Sequence, residues 1–272
     1  MAEPESDPGT PPRGSTRTRK PESWGGTVGG LARELVIVVV GALIVSSLIR
    51  AFLGQMFIIP SGSMENTLMI NDRVVAQKFA GFDGELFTRG QVVVFADPGQ
   101  WLNEPPVERG PVRQALEFVG VLPNTATGYL IKRVIGLPGD TVVCCDESGR
   151  FTVNGQPVDE TGYLYSDTGG QQVEPSTIVF SVVVPAGRIF VMGDHRNASR
   201  DSRCHLSDVV PDEPDGLNGF VPIANVVGPG IAIVSPFSRF GALRAPQTFA
   251  SVPAPEDPAP TTPTIEPAIL RC

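Results

Sequence analysis

Histidine is nearly absent from this chain: among 272 residues only His195 and His205 carry an imidazole. Four cysteines, two of them adjacent at Cys144 and Cys145, form no CxxC pair. A catalytic or structural zinc site draws on spaced His and Cys, so no metal is expected, and no other cofactor is called for. Aromatic residues make up only 7% of the chain, and 21 Lys and Arg face 29 Asp and Glu, for a net charge of −8. With no basic stripe and few rings to stack on bases, nucleic-acid binding is excluded. Long uninterrupted helices are scarce as well, because 30 Gly and 27 Pro punctuate the sequence and favour turns and short strands.

One exception is the run from Leu35 to Ile49, LVIVVVGALIVSSLI, which holds no charge. Fifteen helical residues reach about 22 Å, short of the roughly 30 Å hydrocarbon layer. Extension through Arg50 into AFLGQMFII supplies the rest, since one Arg near a helix end can snorkel to the interface. The run is apolar on every face, unlike a core helix with one apolar stripe. Arg13, Arg17, Arg19, Lys20 and Arg33 precede it, and beyond Arg50 no Lys or Arg occurs until Arg73. The positive-inside rule then puts the N-terminus in the cytosol and the bulk outside. A cleaved secretory signal is the rival reading; the lack of a small-x-small site before the first motif favours an uncleaved anchor in the plasma membrane.

The division that follows is a disordered cytosolic tail over 1–33, a single-pass transmembrane anchor over 34–54, an extracytoplasmic domain over 55–245 and a Pro-rich flexible tail over 246–272. Within the domain, runs such as MFIIP, RVVAQKF, QVVVFADPG, YLIKRVIGLPGD, TVVCC, TIVFSVVVPAG, RIFVMGD and IAIVSP read as short strands between turn formers. Asn154-Gly155, between FTV and QPV, signals a two-residue hairpin. Only PVRQALEFVGVL, 111–122, has helical spacing. The fold class is mainly β: an antiparallel β-sheet domain with a small β cap, preceded by one N-terminal transmembrane helix.

Ser63 lies in Pro60-Ser61-Gly62-Ser63-Met64, directly after a strand. On its own this string is more often a turn, and a serine hydroxyl needs a base to become a nucleophile. His195 and His205 offer a Ser-His-Asp mechanism. Lys132 offers another: on an alternating strand it shares a face with Leu130 and Val134, and desolvation there can lower an amine enough to accept a proton. Ser-Lys pairs are an established variant of triad logic. A third dense segment, GDHRNASRDSR at 193–203, can form a salt-bridge network around such a lysine.

PSGSMENTL at 60–68, RGQVVVF at 89–95, IKRVIGLPGD at 131–140 and GDHRNASRDSR at 193–203 resemble, in order and after an N-terminal anchor, the four conserved boxes of bacterial signal peptidase I. GFVPIANVVG at 219–228 is similar to that family's closing strand region. The resemblance implies a membrane-bound Ser-Lys serine endopeptidase that removes signal peptides from exported preproteins after small residues of the Ala-X-Ala type. It implies Ser63 as nucleophile and Lys132 as general base, with the Ser61 hydroxyl and the Ser63 N–H as oxyanion hole. It further implies that Ser199 orients Lys132, that Asp201 pairs with Arg203 and Arg133 with Asp194, and that Ile58, Ile59, Met64 and Leu68 line shallow substrate pockets. The partners implied are preproteins and the lipid bilayer. About ten residues separate Arg50 from Ser61, so the site is expected near the outer membrane face.

Two departures from the family pattern stand in the boxes: Asn66 at a position usually Pro, expected to loosen the turn, and His195 where Asn is common. The stretch before Ile189 is short for the family's second domain, so a reduced cap over about 141–188 is expected, with 96–128 as a local insertion on the membrane surface. A bond from Cys204 to Cys144 or Cys145 would brace the last box. Two other classes remain open: a soluble self-cleaving Ser-Lys protease, which the anchor and acidic charge oppose, and an inactive tethered β scaffold, which would not need Ser63, Lys132 and Ser199 together.

Overall fold

The computed structural model describes residues 24–52, 54–77, 87–99, 101–102, 110–112 and 128–266. It divides into two compact units, one through Leu43 and one from Ile44 onward. Helix α1, Trp24–Phe52, is 29 residues long, about 43 Å at 1.5 Å per residue. Its window Gly29–Ser46 has a mean hydropathy of 1.9 and none of it is buried, so by length and composition it can cross a membrane. The helix corrects the expected boundaries. Residues 24–33 are helical rather than disordered, because no proline interrupts the sequence from Trp24 to Phe52. The extra length comes from that side and not from the MFII segment, which pairs as a strand instead. Residues 1–23 lie outside the described residues.

The second unit consists mainly of antiparallel sheet, as the short apolar runs predict. Its larger sheet runs β1 (Gln55–Ile58), β2 (Arg73–Ala76), β11 (Val226–Ser235), β3 (Val92–Ala96), β4 (Tyr129–Gly136), β9 (Arg188–Met192), β10 (Val221–Pro222), with β12 (Gly241–Ala242) on β11. The smaller sheet runs β13 (Thr264–Glu266), β8 (Phe180–Val183), β5 (Thr141–Cys144), β6 (Thr152–Val153), β7 (Gln156–Pro157). Asn154 and Gly155 both take positive φ, 50° and 74°, the backbone a two-residue hairpin between β6 and β7 requires. Apart from β13, the strands of this small sheet fall in the span expected for the cap.

Strand β4 carries the alternation on which the site depends. Leu130 and Val134 pack with Val93, Phe95 and Val191, while Ile131 packs with Met64, Leu68 and Val94. The antiparallel register sets Val93 opposite Lys132 and Val92 opposite Arg133.

Three expectations need correction or fall away. The tail from 246 is not loose through Glu266: Phe249 and Val252 are buried in the core, and β13 pairs with β8. Proline removes backbone donors but leaves apolar rings and short extended runs that can pack. Cys144 and Cys145 bond to each other, so neither is joined to Cys204, which is itself disulfide-bonded. Most of the helix expected over 111–122 and of the 96–128 insertion lies outside the described residues.

Candidate active site

The turn after β1 is wound tightly by its own backbone. Glu65 N–H donates to Gly62 O at 3.0 Å, and Leu68 N–H donates to Met64 O at 2.7 Å. Met64 and Leu68, fully buried, peg the turn into the core beneath β1, β2 and β4. Ser63 is thereby held almost out of solvent. Lys132 reaches it from β4, 69 residues along the chain, and its Nζ lies 2.5 Å from Ser63 Oγ. The lysine is buried too, and burial is the main force lowering its amine to about 8. The charges of Asp201 and Asp194 oppose that shift, while Arg203 adds to it. An exposed Ser61 completes the cluster, its Oγ 3.4 Å from Ser63 Oγ. No hydrogen bond among the described residues uses the Ser63 backbone N–H.

The segment 193–203 packs against this pair at closest range through a glycine. A Cβ on Gly193 would collide with Ser63 O and with Ser199 Oγ. Behind it, Asp201 accepts from Gly193 N–H at 2.9 Å, from Ser199 Oγ at 2.7 Å and from Arg203 Nε and Nη2 at 2.9 Å each. Burial alone would raise this carboxyl; the Arg203 charge and these donors outweigh it and hold it low. The expected Asp201–Arg203 pair is therefore present. Ser199 is placed differently from expectation: its hydroxyl goes to Asp201, and no hydrogen bond joins it to Lys132.

Arg133, on the opposite side of β4 from Lys132, forms a two-pronged pair with Asp194, Nε to Oδ1 at 2.8 Å and Nη2 to Oδ2 at 2.5 Å. It also donates to Gly90 O and Thr67 Oγ1, and its guanidinium lies 4.3 Å over the Tyr163 ring. Thr67 in turn donates to Asp194 Oδ2 at 2.5 Å. A second pair, Arg89 with Asp140, joins the turn before β3 to the turn after β4. The four sequence boxes are thus stitched to each other by charged hydrogen bonds: the second to the third, and the third and first to the fourth. Arg89–Asp140 was legible as two opposite charges in neighbouring boxes. Glu160 was not: it sits in the cap, buried, and binds both Arg196 and Tyr163.

The substrate-lining expectation fails for three of four residues. Ile59, Met64 and Leu68 are 0–1% exposed and belong to the core under the nucleophile turn; only Ile58, at 40%, presents surface. The expectation that Asn66 loosens the turn also fails. Asn66 takes φ +82°, an angle proline cannot adopt, and its Nδ2 donates to Leu164 O at 3.0 Å. Neither histidine is bonded to Ser63 Oγ. His195 Nδ1 faces Glu65 and Gly62 O, while His205 is buried, stacked on Trp101 and bonded to Asp208.

The family model described as signal peptidase, peptidase S26, matches residues 32–235, three quarters of the chain and all of the cluster just described. The chain belongs to this family. Its relatives include a signal peptidase I of Mycobacterium tuberculosis, 36% identical over 230 residues that cover 78% of this chain and 76% of that one. A signal peptidase I of Pseudomonas aeruginosa is 34% identical over 214 residues, covering 70% and 68%. A solved signal peptidase I from Enterococcus faecalis, 22% identical, covers 53% of this chain and 95% of that one at a TM-score of 0.27, too low to carry weight. Membership brings the activity class with it: the chain is a serine endopeptidase that removes signal peptides.

Proposed function

We propose that Ser63 is the nucleophile and Lys132 the general base of this signal peptidase. The observation that carries the reading is the 2.5 Å contact between a buried serine hydroxyl and a buried amine lowered to about 8. As Ser63 Oγ attacks the scissile carbonyl, the neutral Lys132 amine takes its proton. The carbonyl oxygen becomes an oxyanion, met by the Ser63 N–H and the Ser61 hydroxyl. Lys132, now an ammonium, returns the proton to the departing amine, and water then cleaves the acyl-serine by the same route in reverse. Asp201 and Arg203 brace the loop facing the amine, and Arg133 with Asp194 braces the strand that bears it.

The substrates in this reading are exported preproteins, cut after Ala-X-Ala. Helix α1 is the anchor in the bilayer of the plasma membrane, single-pass, with the N-terminus cytoplasmic and the protease domain outside, following the Lys and Arg bias of its flanks. Neither nucleic acid nor metal has a role.

The purified full chain in detergent should make one cut in a reporter preprotein that carries Ala-X-Ala. Only the neutral amine is competent, so kcat/KM should rise about tenfold per pH unit and level off above about 8. A limb centred near 6.5 that disappears in His195→Ala would transfer the base role to histidine. Ser61→Ala, which removes a hydroxyl 3.4 Å from Ser63 Oγ, should lower kcat by about 100-fold with little change in KM. A purely KM effect would take Ser61 out of the oxyanion hole.

A further inference from the structure

The mechanism leaves unused the contacts that hold the nucleophile turn from its far side. His195 N–H donates to Ser63 O at 3.1 Å. Its Nδ1 lies 3.0 Å from Glu65 Oε2 and 3.3 Å from Gly62 O. Both of these partners accept only, so Nδ1 carries the proton and donates to the two of them. The imidazole is fixed in plane by Tyr165, whose ring stacks on it at 3.7 Å between centroids and 22° between planes. Tyr165 is itself anchored, its N–H donating to Asp194 O at 3.1 Å. Gly62 leaves the space that the Glu65 carboxylate fills, because a Cβ there would lie 2.8 Å from Glu65 Cδ. The backbone N–H of His195 therefore grips Ser63 itself, while its ring nitrogen grips Gly62 before it and Glu65 after it.

We propose that His195 is a positioning residue: through its Nδ1–H bridge to Glu65 and Gly62 O it sets where Ser63 Oγ stands relative to Lys132 and the scissile carbonyl. This rests on the reading of Ser63 as nucleophile. The imidazole takes no proton from the reaction. It acts by orientation, and a displacement of the turn by a fraction of an ångström is enough to slow the chemical step. Asparagine can place an amide N–H near the position of Nδ1. Phenylalanine keeps the stacked ring and removes the donor.

The test is steady-state cleavage of the reporter preprotein by the full chain in detergent. His195→Phe and His195→Ala should each lower kcat on the order of 10- to 100-fold with KM within about twofold, while His195→Asn should stay within about threefold of the parent chain. Glu65→Ala should reproduce the loss alone and add less than about twofold to His195→Phe, since the two act through one bridge. Gly62→Ala should lose activity to a similar extent with the His195 and Glu65 side chains both retained, by pushing the carboxylate off the ring. A fully active His195→Phe would overturn the proposal, and so would a loss confined to KM or full additivity with Glu65→Ala. The bridge has a readout independent of cleavage: a slowly exchanging imidazole N–H proton of His195 in the NMR spectrum of the full chain in micelles, lost in Glu65→Ala. If Ser63→Ala still cleaved the preprotein, the reading of Ser63 would fall, whereas absence of that proton would overturn the bridge itself.

Discussion

Ser63→Ala and Lys132→Met should each lower kcat for the reporter preprotein by about 10⁴-fold or more, and the double variant should lose little beyond either single one. The near-equality follows from a unit: a hydroxyl without its base and a base without its hydroxyl fail at the same step. Methionine fills nearly the volume of the lysine, so the core around β4 keeps its packing and inactivity is not a folding defect. Lys132→Met should in fact be the more stable protein at pH 7. The buried amine titrates at about 8 in the folded state against 10.5 in an exposed lysine. Below pH 8 the folded state must hold an ammonium it disfavours, at a cost on the order of 3 kcal/mol. That cost fades as pH rises from 8 to 10.5, where the unfolded chain also loses its proton. Denaturant unfolding of parent and variant at pH 7 and pH 10.5 checks this: the stability gap should shrink at the higher pH. Retention of more than a few percent of activity by Lys132→Met would remove lysine from the mechanism.

Arg133→Met should destabilise the folded domain by about 3–5 kcal/mol, the largest stability loss expected of a single change near the site. The reason lies with what is left behind. Asp194 is fully buried and accepts from Arg133 through both oxygens, so the substitution strands a carboxylate with Thr67 as its remaining side-chain donor. Gly90 O loses its donor in the same step, and Tyr163 loses the cation over its ring. Combining Arg133→Met with Asp194→Asn should recover part of the loss, because the stranded charge is gone while the cavity and unpaired carbonyl remain. The midpoint of urea unfolding measures both. A loss below about 1 kcal/mol for the single variant would mean that water reaches Asp194 and that the pair is not a structural tie.

Which parts of this architecture were legible in the residues depends on how local their cause is. Strands β1 to β9 were visible because Gly, Pro and Asn bracket each short apolar run, and the Asn154-Gly155 hairpin because its φ values admit few other residues. The face of Lys132 was visible because alternation along β4 needs only the sequence of that strand. Its distance to Ser63 was not visible locally, and the motifs supplied what a separation of 69 residues hides. Ile59, Met64 and Leu68 were misplaced for a general reason: an apolar side chain beside a reactive serine serves a pocket or a core equally well, and only the position of Ile131 and Val94 beneath them decides. The 246–272 segment misled because proline content reports the loss of backbone donors and is silent about Phe249 and Val252 finding a hydrophobic seat. Ser199 was tied to Asp201 by a two-residue separation that favours a local bond over the longer reach to Lys132.

The strand order carries one more consequence. β11, residues 226–235, lies between β2 (Arg73–Ala76) and β3 (Val92–Ala96), both far earlier in the chain. The sheet that holds Lys132 against the nucleophile turn is therefore open down its middle until that late strand arrives. Closing so long a loop slows folding, and it cannot precede synthesis of the closing residues. A nascent chain caught halfway would hold both reactive groups without a rigid sheet to align them. Alignment of Ser63 with Lys132 therefore waits on a strand synthesised after both of them.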